Sequence, residues 1–287
     1  MPVKTSFNRI ASIFLSVSLV SGSMIAATST NAWSQTLMEK IKKSGKVTVG
    51  TEAQLPPFEF IKDGKIVGYG KDILDYIVKD LNVQLVQLDL PWQGILPGVL
   101  AGKFDFVATS VGMREERVSK YAFTMPIAYG QDVALKRVAD KSIKSIDDLK
   151  GKVAGTQLAS SSEASAKNFD AKMKAAGRGF KEIKLYTSHP ETYLALANGE
   201  LDVVISGREL VSRLMRERPG LFEIVGPVAD KVYTAWVTRP EDKDFRDYLN
   251  SKIKEMRDSG LLYELQKKWF ESVMEVPDSG YLPPGAI

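Results

Sequence analysis

From Val47 onward the apolar positions follow two alternating rhythms. VTVGT (residues 47–51) is a short apolar run of the kind a buried strand needs, whereas KDILDYIVKDLN brings Ile73, Leu74, Ile77, Val78 and Leu81 round at helical spacing. VQLVQLDL then alternates as a strand, GILPGVLAG reads as a short helix, and FDFVATS as a further strand. The same order begins again at KVAGT. There SSSEASAKNFDAKMKAAG predicts a helix ending at Gly177, FKEIKLY a strand, ETYLALANG a helix and LDVVISG a closing strand.

Two stretches carry this repetition most clearly, LAGKFDFVATS (100–110) and ANGELDVVISG (197–207). Gly102/Gly199, Asp105/Asp202 and Val107/Val204 recur at one constant offset. In each copy the glycine is expected to end a helix in the left-handed conformation, and the aspartate to bind turn amides before the strand enters the core. The copies part at their last residue, Ser110 in the first and Gly207 in the second. Alternating strands and helices imply parallel sheets with helices on both faces, and two such units imply a cleft between them. Ligands of open parallel sheets sit beyond the carboxyl ends of the strands. This singles out 52–58, Trp92, 109–117, 157–163 and 207–209.

The N-terminus belongs to neither unit. Lys4 and Arg9 precede an apolar run over 10–20, followed by small and hydroxylated residues to Ser34, the order of a secretory signal peptide. The run is shorter than the ~20 residues of a membrane span, so cleavage near Ala32 or Ser34 and a mature chain starting near Gln35 are expected. The protein contains no cysteine, which excludes a lipoprotein tether, disulfides and thiolate catalysis. Export without a tether points to the periplasm. Hydrophobic residues at 44% and charged residues at 26% are those of a globular protein. Loss of the leader, with its two bases and no acid, lowers the formal charge from +4 to about +2. That charge, on scattered Lys and Arg, excludes a nucleic-acid partner.

Several strand-end residues suit an anionic solute. Ser110-Val-Gly-Met-Arg-Glu-Glu-Arg117 offers hydroxyls, accessible backbone amides and a guanidinium fork that can grip a carboxylate with two parallel hydrogen bonds. Ser160-Ser161-Ser162-Glu163 opens a helix; Ser160 with Glu163 fits a capping box, and the hydroxyls at a helix N-terminus suit an anion. Trp92 and Phe58 can form apolar walls, with Phe58 better read as core. His189, the single histidine, sits beside Pro190 at a helix start and is expected to be a surface or capping residue. No nucleophile–base pair, metal-ligand cluster or phosphate-binding glycine loop is visible, so no cofactor is expected.

VGTEAQLPPFEF with GKIVGYGKDIL, PWQGILPGVLAGKFDF, MREER with YAFTMP, SIDDLKGK and SGLLYELQKKWF, taken in order, resemble the family 3 periplasmic solute-binding proteins, receptors of polar amino-acid ABC transporters. The resemblance spans about 47–270. It implies an α/β type II periplasmic binding protein fold with two lobes, a hinge and an inter-lobe cleft. The implied division is a signal peptide at 1–34, lobe one at 35–129 with a C-terminal return at 231–287, and lobe two at 130–230. By the same resemblance Arg117 and Ser161 hold the ligand carboxylate, and Thr109, Ser110 and Gly112 line the pocket. Glu52 and Trp92 meet the ligand's side-chain end. The implied partners are a small amino acid or related carboxylate and an inner-membrane permease, served by a monomer without turnover.

The departures from the family are equally specific. Gly207 stands where the family places an aspartate for the α-ammonium, Leu55 where an aromatic is common, Gly112 where a hydroxyl often donates, and Arg114 where threonine is frequent. A buried cation without its counter-charge is costly. Either Glu52 serves the ammonium or the ligand has none, and Arg114, Arg117 and Arg208 would then suit a carboxylate or dicarboxylate. The family resemblance extends to cyclohexadienyl dehydratase, for which Glu209 or Glu52 would be the general acid. An accessory periplasmic binding or sensing protein is a third reading.

Overall fold

The computed structural model describes residues 35–287, so the expected leader lies outside the described residues. Helix α1 (Leu37–Ser44) leads into β1 (Lys46–Thr51). A small antiparallel sheet follows, β2 (Gln54–Leu55), β3 (Glu59–Lys62) and β4 (Lys65–Val67). Then come α2 (Tyr69–Leu81), β5 (Gln84–Asp89), α3 (Trp92–Leu100), β6 (Phe106–Gly112), α4 (Glu115–Val118), β7 (Ala122–Phe123) and β8 (Ala128–Gly130). The second run is β9 (Asp132–Arg137), β10 (Val153–Gln157), α5 (Ser161–Ala175), β11 (Glu182–Tyr186), α6 (His189–Ala197), β12 (Val203–Gly207), α7 (Arg208–Glu217) and β13 (Phe222–Pro227). β14 (Val232–Thr238), α8 (Lys243–Asp258) and α9 (Leu261–Phe270) close the chain. Among the described residues no helix is long and apolar enough to cross a membrane.

The two large sheets share one plan. Their strand orders are β5-β1-β6-β14-β7 and β11-β10-β12-β9-β13. The first three strands of each are parallel, as the alternation of elements predicts. The next is antiparallel and lies outside the parallel run in the sequence, β14 after both runs and β9 at the start of the second: Thr234 of β14 pairs with Gly112, and Ser206 of β12 pairs with Val133 of β9. This corrects the expectation of purely parallel sheets. The backbone therefore passes twice between the sheets, at Gln131 and between Pro227 and Val232.

Each sheet buries both faces. Ile73, Leu74, Ile77 and Val78 of α2 join Phe106, Trp236 and Phe245 on one face of the first sheet, and Ile95, Val99 and Phe104 pack on the other. α3 is helical although it holds Gly94, Pro97 and Gly98, because Trp92, Ile95, Leu96 and Val99 of one face are buried. The second sheet is covered by Ala166, Phe169 and Met173 of α5 on one face and by Ala195 and Leu196 of α6 on the other.

The repeated phrases do the same work in both halves. Thr48 N donates to Asp105 Oδ2, and Val153 N donates to Asp202 Oδ2, each at 2.8 Å. Each aspartate thus ties its strand to the middle of the three parallel strands in its own sheet, not to a turn. Gly102 and Gly199 are left-handed, with φ of 67° and 82°. The residue before each aspartate also has a matched partner. A Cβ at Gly50 would lie 2.6 Å from the Phe104 ring, and one at Gly155 would lie 2.2 Å from Leu201 Cδ1.

Candidate functional site

The carboxyl ends of β1, β6, β10 and β12 meet at a cavity of about 110 Å³. A water needs about 10–15 Å³ by the same measure, so the space suits a solute of roughly ten non-hydrogen atoms. The first half of the chain lines it with Glu52, Leu55, Phe58, Trp92, Ser110, Gly112, Arg114 and Arg117. The second contributes Gln157, Ser160, Ser161, Ser162, His189, Gly207 and Glu209, and the connecting strands add Gly130, Gln131, Asp132, Asp230, Val232 and Thr234.

Arg117 lies in the single turn of α4 and is only 7% exposed. Its Nη1 donates to Ser161 Oγ at 2.8 Å and to Gly112 O at 3.3 Å, and Nη2 donates to Ala159 O at 3.1 Å. The guanidinium carbon sits 5.2 Å from the centre of the Trp92 ring. These three donations leave two of the five guanidinium N–H groups for a ligand. Burial, helped by the neighbouring Arg114 charge, pulls Arg117 down to about 10, so it stays cationic at neutral pH. Gly112 makes this approach possible, because a Cβ there would lie 2.6 Å from Ser161 Oγ. Trp92 Nε1 donates to Ala159 O at 2.9 Å, a third bond between the halves beside the two from Arg117.

Arg114 is oriented inward but its charge is matched. Nη2 reaches Asp132 Oδ2 at 3.3 Å and Ser165 Oγ at 2.7 Å. Asp132 also accepts from Ser162 and Ser165, each at 2.6 Å. Arg208 lines an adjoining groove with Tyr129, Arg216 and Lys231, which Gln131 and Glu209 border from the cavity side. Of the three arginines, Arg117 is the one that lines the cavity without a carboxylate partner among the described residues.

The other wall is acidic. Glu52, 4% exposed, accepts from Gln157 Nε2. Burial pushes it up to about 7 despite that bond, and Asp89 adds to the rise. Glu209 is also raised to about 7, chiefly by burial, with its own backbone amide opposing and Asp132 reinforcing. His189 is 5% exposed and lines the cavity, which corrects the surface or capping expectation. It opens α6, and helix starts in this fold face the same crevice as the strand ends. Its Nδ1 has no partner among the described residues, and burial holds it down at about 4, hence neutral. Ser110 Oγ, Arg114 Nε and Thr234 Oγ1 are likewise buried and unpartnered in this wall.

Of the expected site residues, Glu52, Trp92, Ser110, Gly112, Arg117, Gln157, Ser160, Ser161 and Gly207 all line the cavity. Thr109 does not. Fully buried, it donates to Glu59 Oε2 at 3.1 Å behind the wall. Successive strand residues face opposite ways, so only Ser110 of that pair can look inward. The Ser160 hydroxyl is committed to its helix, accepting from Glu163 N at 3.1 Å and donating to Gln157 O at 2.7 Å. Glu163 reaches Ala159 N instead of Ser160 N, so the capping box is only half formed. Phe58 packs in the core against Phe270 and also borders the cavity. Sequence reasoning missed Asp132, and nothing in the apolar pattern marks it.

The family model of bacterial extracellular solute-binding proteins, family 3, matches residues 47–272. The chain belongs to this family. The L-cystine-binding protein TcyJ of Escherichia coli K12 is 28% identical over 82% of this chain and 86% of its own. A mutant of ArgBP from T. maritima superposes with a TM-score of 0.73 at 26% identity, covering 82% of this chain and 100% of its own. An ancestral amino acid-binding protein, AncCDT-1, a precursor of cyclohexadienyl dehydratase, gives 0.72 at 26% identity over 82% and 99%. With its two doubly wound sheets and two crossings, this family 3 chain has the type II periplasmic binding protein fold.

Proposed function

We propose that the protein is the substrate-binding component of an amino-acid ABC transporter. It captures a small amino acid between two lobes, 35–129 with 231–287 and 130–230, and presents the closed form to an inner-membrane permease. Export through the 1–34 leader to the periplasm, as an untethered monomer, belongs to this reading. The supporting observation is Arg117. A buried guanidinium on one lobe bonds the serine loop of the other and keeps two N–H groups for a carboxylate. A carboxylate placed there would touch both halves at once, so binding would favour the closed population. The Arg114–Asp132 pair argues against a dicarboxylate, because it leaves one unmatched arginine for one acid group.

The test begins with a thermal-shift screen of amino acids, amines, keto acids and dicarboxylates. A ligand at 100 times its dissociation constant adds about 2.7 kcal/mol of stability. An amino-acid hit is then titrated against Arg117→Ala, which should lose at least about 2 kcal/mol of affinity. Unchanged affinity in a folded variant would place the carboxylate elsewhere. Prephenate should yield no phenylpyruvate; steady turnover would make the protein an enzyme.

A further inference from the structure

We infer that Glu209 holds the cationic nitrogen of the ligand, so that this cavity selects solutes carrying both a carboxylate and a protonated amine. The inference rests on the receptor reading and deepens it. Glu209 opens α7, directly after the strand whose last residue, Gly207, lacks a side chain. Among the described residues its carboxylate has no side-chain hydrogen bond and no ion pair. Two glycines keep the space around it open. A Cβ at Gly130 would lie 3.5 Å from Glu209 Oε2 and one at Gly207 would lie 3.9 Å away, with neither glycine in the left-handed region. The carboxylate therefore occupies the space onto which position 207 faces, delivered from two residues further along.

The strand register sets this group opposite the carboxylate end. Gly112, against Ser161, pairs with Thr234 on one edge of β14, and Gly130, against Glu209, pairs with Val232 on its other edge. Arg117 and Glu209 thus line one cavity from either side of the returning strand, room for a ligand whose acid and amine groups point different ways. Glu52 is then left to the ligand's far end with Gln157. Burial raises the free Glu209 carboxyl, as it does for an acid whose counter-charge arrives with the ligand.

The experiment pairs each amino acid that binds the wild type with its desamino acid and repeats both titrations in Glu209→Gln. The wild type should bind the amino acid at least about 30-fold more tightly than the desamino acid, the scale of a buried charge pair. Glu209→Gln should lose that preference while keeping the desamino affinity within about threefold. Equal binding of both compounds by the wild type overturns the assignment without any variant. So does a folded Glu209→Gln that retains the preference, and in either case the receptor reading stands. No thermal shift with any amino acid overturns both.

Discussion

The two copies of the repeated phrase agree up to the middle of the strand and differ at its end. Before β6 and β12 alike, a left-handed glycine precedes an aspartate that binds an amide of the middle parallel strand in its sheet. In both, the residue before the aspartate covers a glycine of that middle strand, Phe104 over Gly50 and Leu201 over Gly155. Past Val107 and Val204 the likeness stops. Ser110 sets an unpartnered hydroxyl into the cavity wall, whereas Gly207 sets nothing there and leaves room for Glu209. The shared part holds each sheet together, and the divergent part borders the cavity. Two lobes built alike can thus grip opposite ends of one asymmetric molecule.

The largest effect should come from breaking the shared part. Phe104→Ala empties the space over Gly50 and should cost about 3–5 kcal/mol of stability, and Leu201→Ala about 2–5 kcal/mol. Denaturant unfolding measures both. At 25 °C the folded variants should bind ligand within about threefold of the wild type. A tenfold loss of affinity in either would mean that the first half of the phrase also shapes the site.

Most of this comparison was legible in the sequence, because helical and strand periodicities repeat in one order and Gly and Asp recur at one offset. Two features were not. The return of β14 to the first sheet pairs residues more than a hundred positions apart, such as Thr234 with Gly112, and local periodicity carries no trace of it. Side-chain direction was equally hidden. Thr109 and Ser110 are adjacent hydroxyls that the strand turns to opposite faces. Arg114 and Arg117 are similar cations on one short segment, yet only Arg114 has an aspartate beside it. His189 offered a single helix-start position, and only the closed packing around it shows that it is buried.

A pH titration should separate the two strand ends. Arg117, at about 10, stays charged from pH 6 to 8, while Glu209, at about 7, titrates inside that window. An ammonium ligand needs the ionised carboxylate, so affinity should rise about tenfold from pH 6 to 8. Most of the rise should be lost in Glu209→Gln, with Asp132, Arg208 and Lys231 as the other charges acting on Glu209. Glu52 titrates in the same range and would leave a residual slope. Stability of the unliganded protein should move the opposite way. A carboxyl raised from 4.5 to about 7 by folding contributes stability below its unfolded value and loses it as pH rises through 7. Melting temperatures of the wild type should therefore fall more steeply over pH 5–8 than those of Glu209→Gln. A flat difference between the two would remove the contrast.

The smallest effect concerns Ser110 itself, which marks the divergence in the first copy. Its hydroxyl has no partner among the described residues and little solvent, so its removal takes nothing from the described fold. Ser110→Ala should leave the unfolding midpoint unchanged or slightly raised, since a buried unsatisfied hydroxyl is itself unfavourable. If the hydroxyl donates to the ligand carboxylate beside Arg117, affinity should fall roughly two- to fivefold, the lower part of what one hydrogen bond contributes. The loss should be the same for an amino acid and its desamino acid, because the hydroxyl would then meet the carboxylate that both share. A loss confined to the amino acid would mean that the ligand lies the other way round, its amine toward Ser110. A fall in stability without a change in affinity would return Ser110 to the shared, structural part of the phrase.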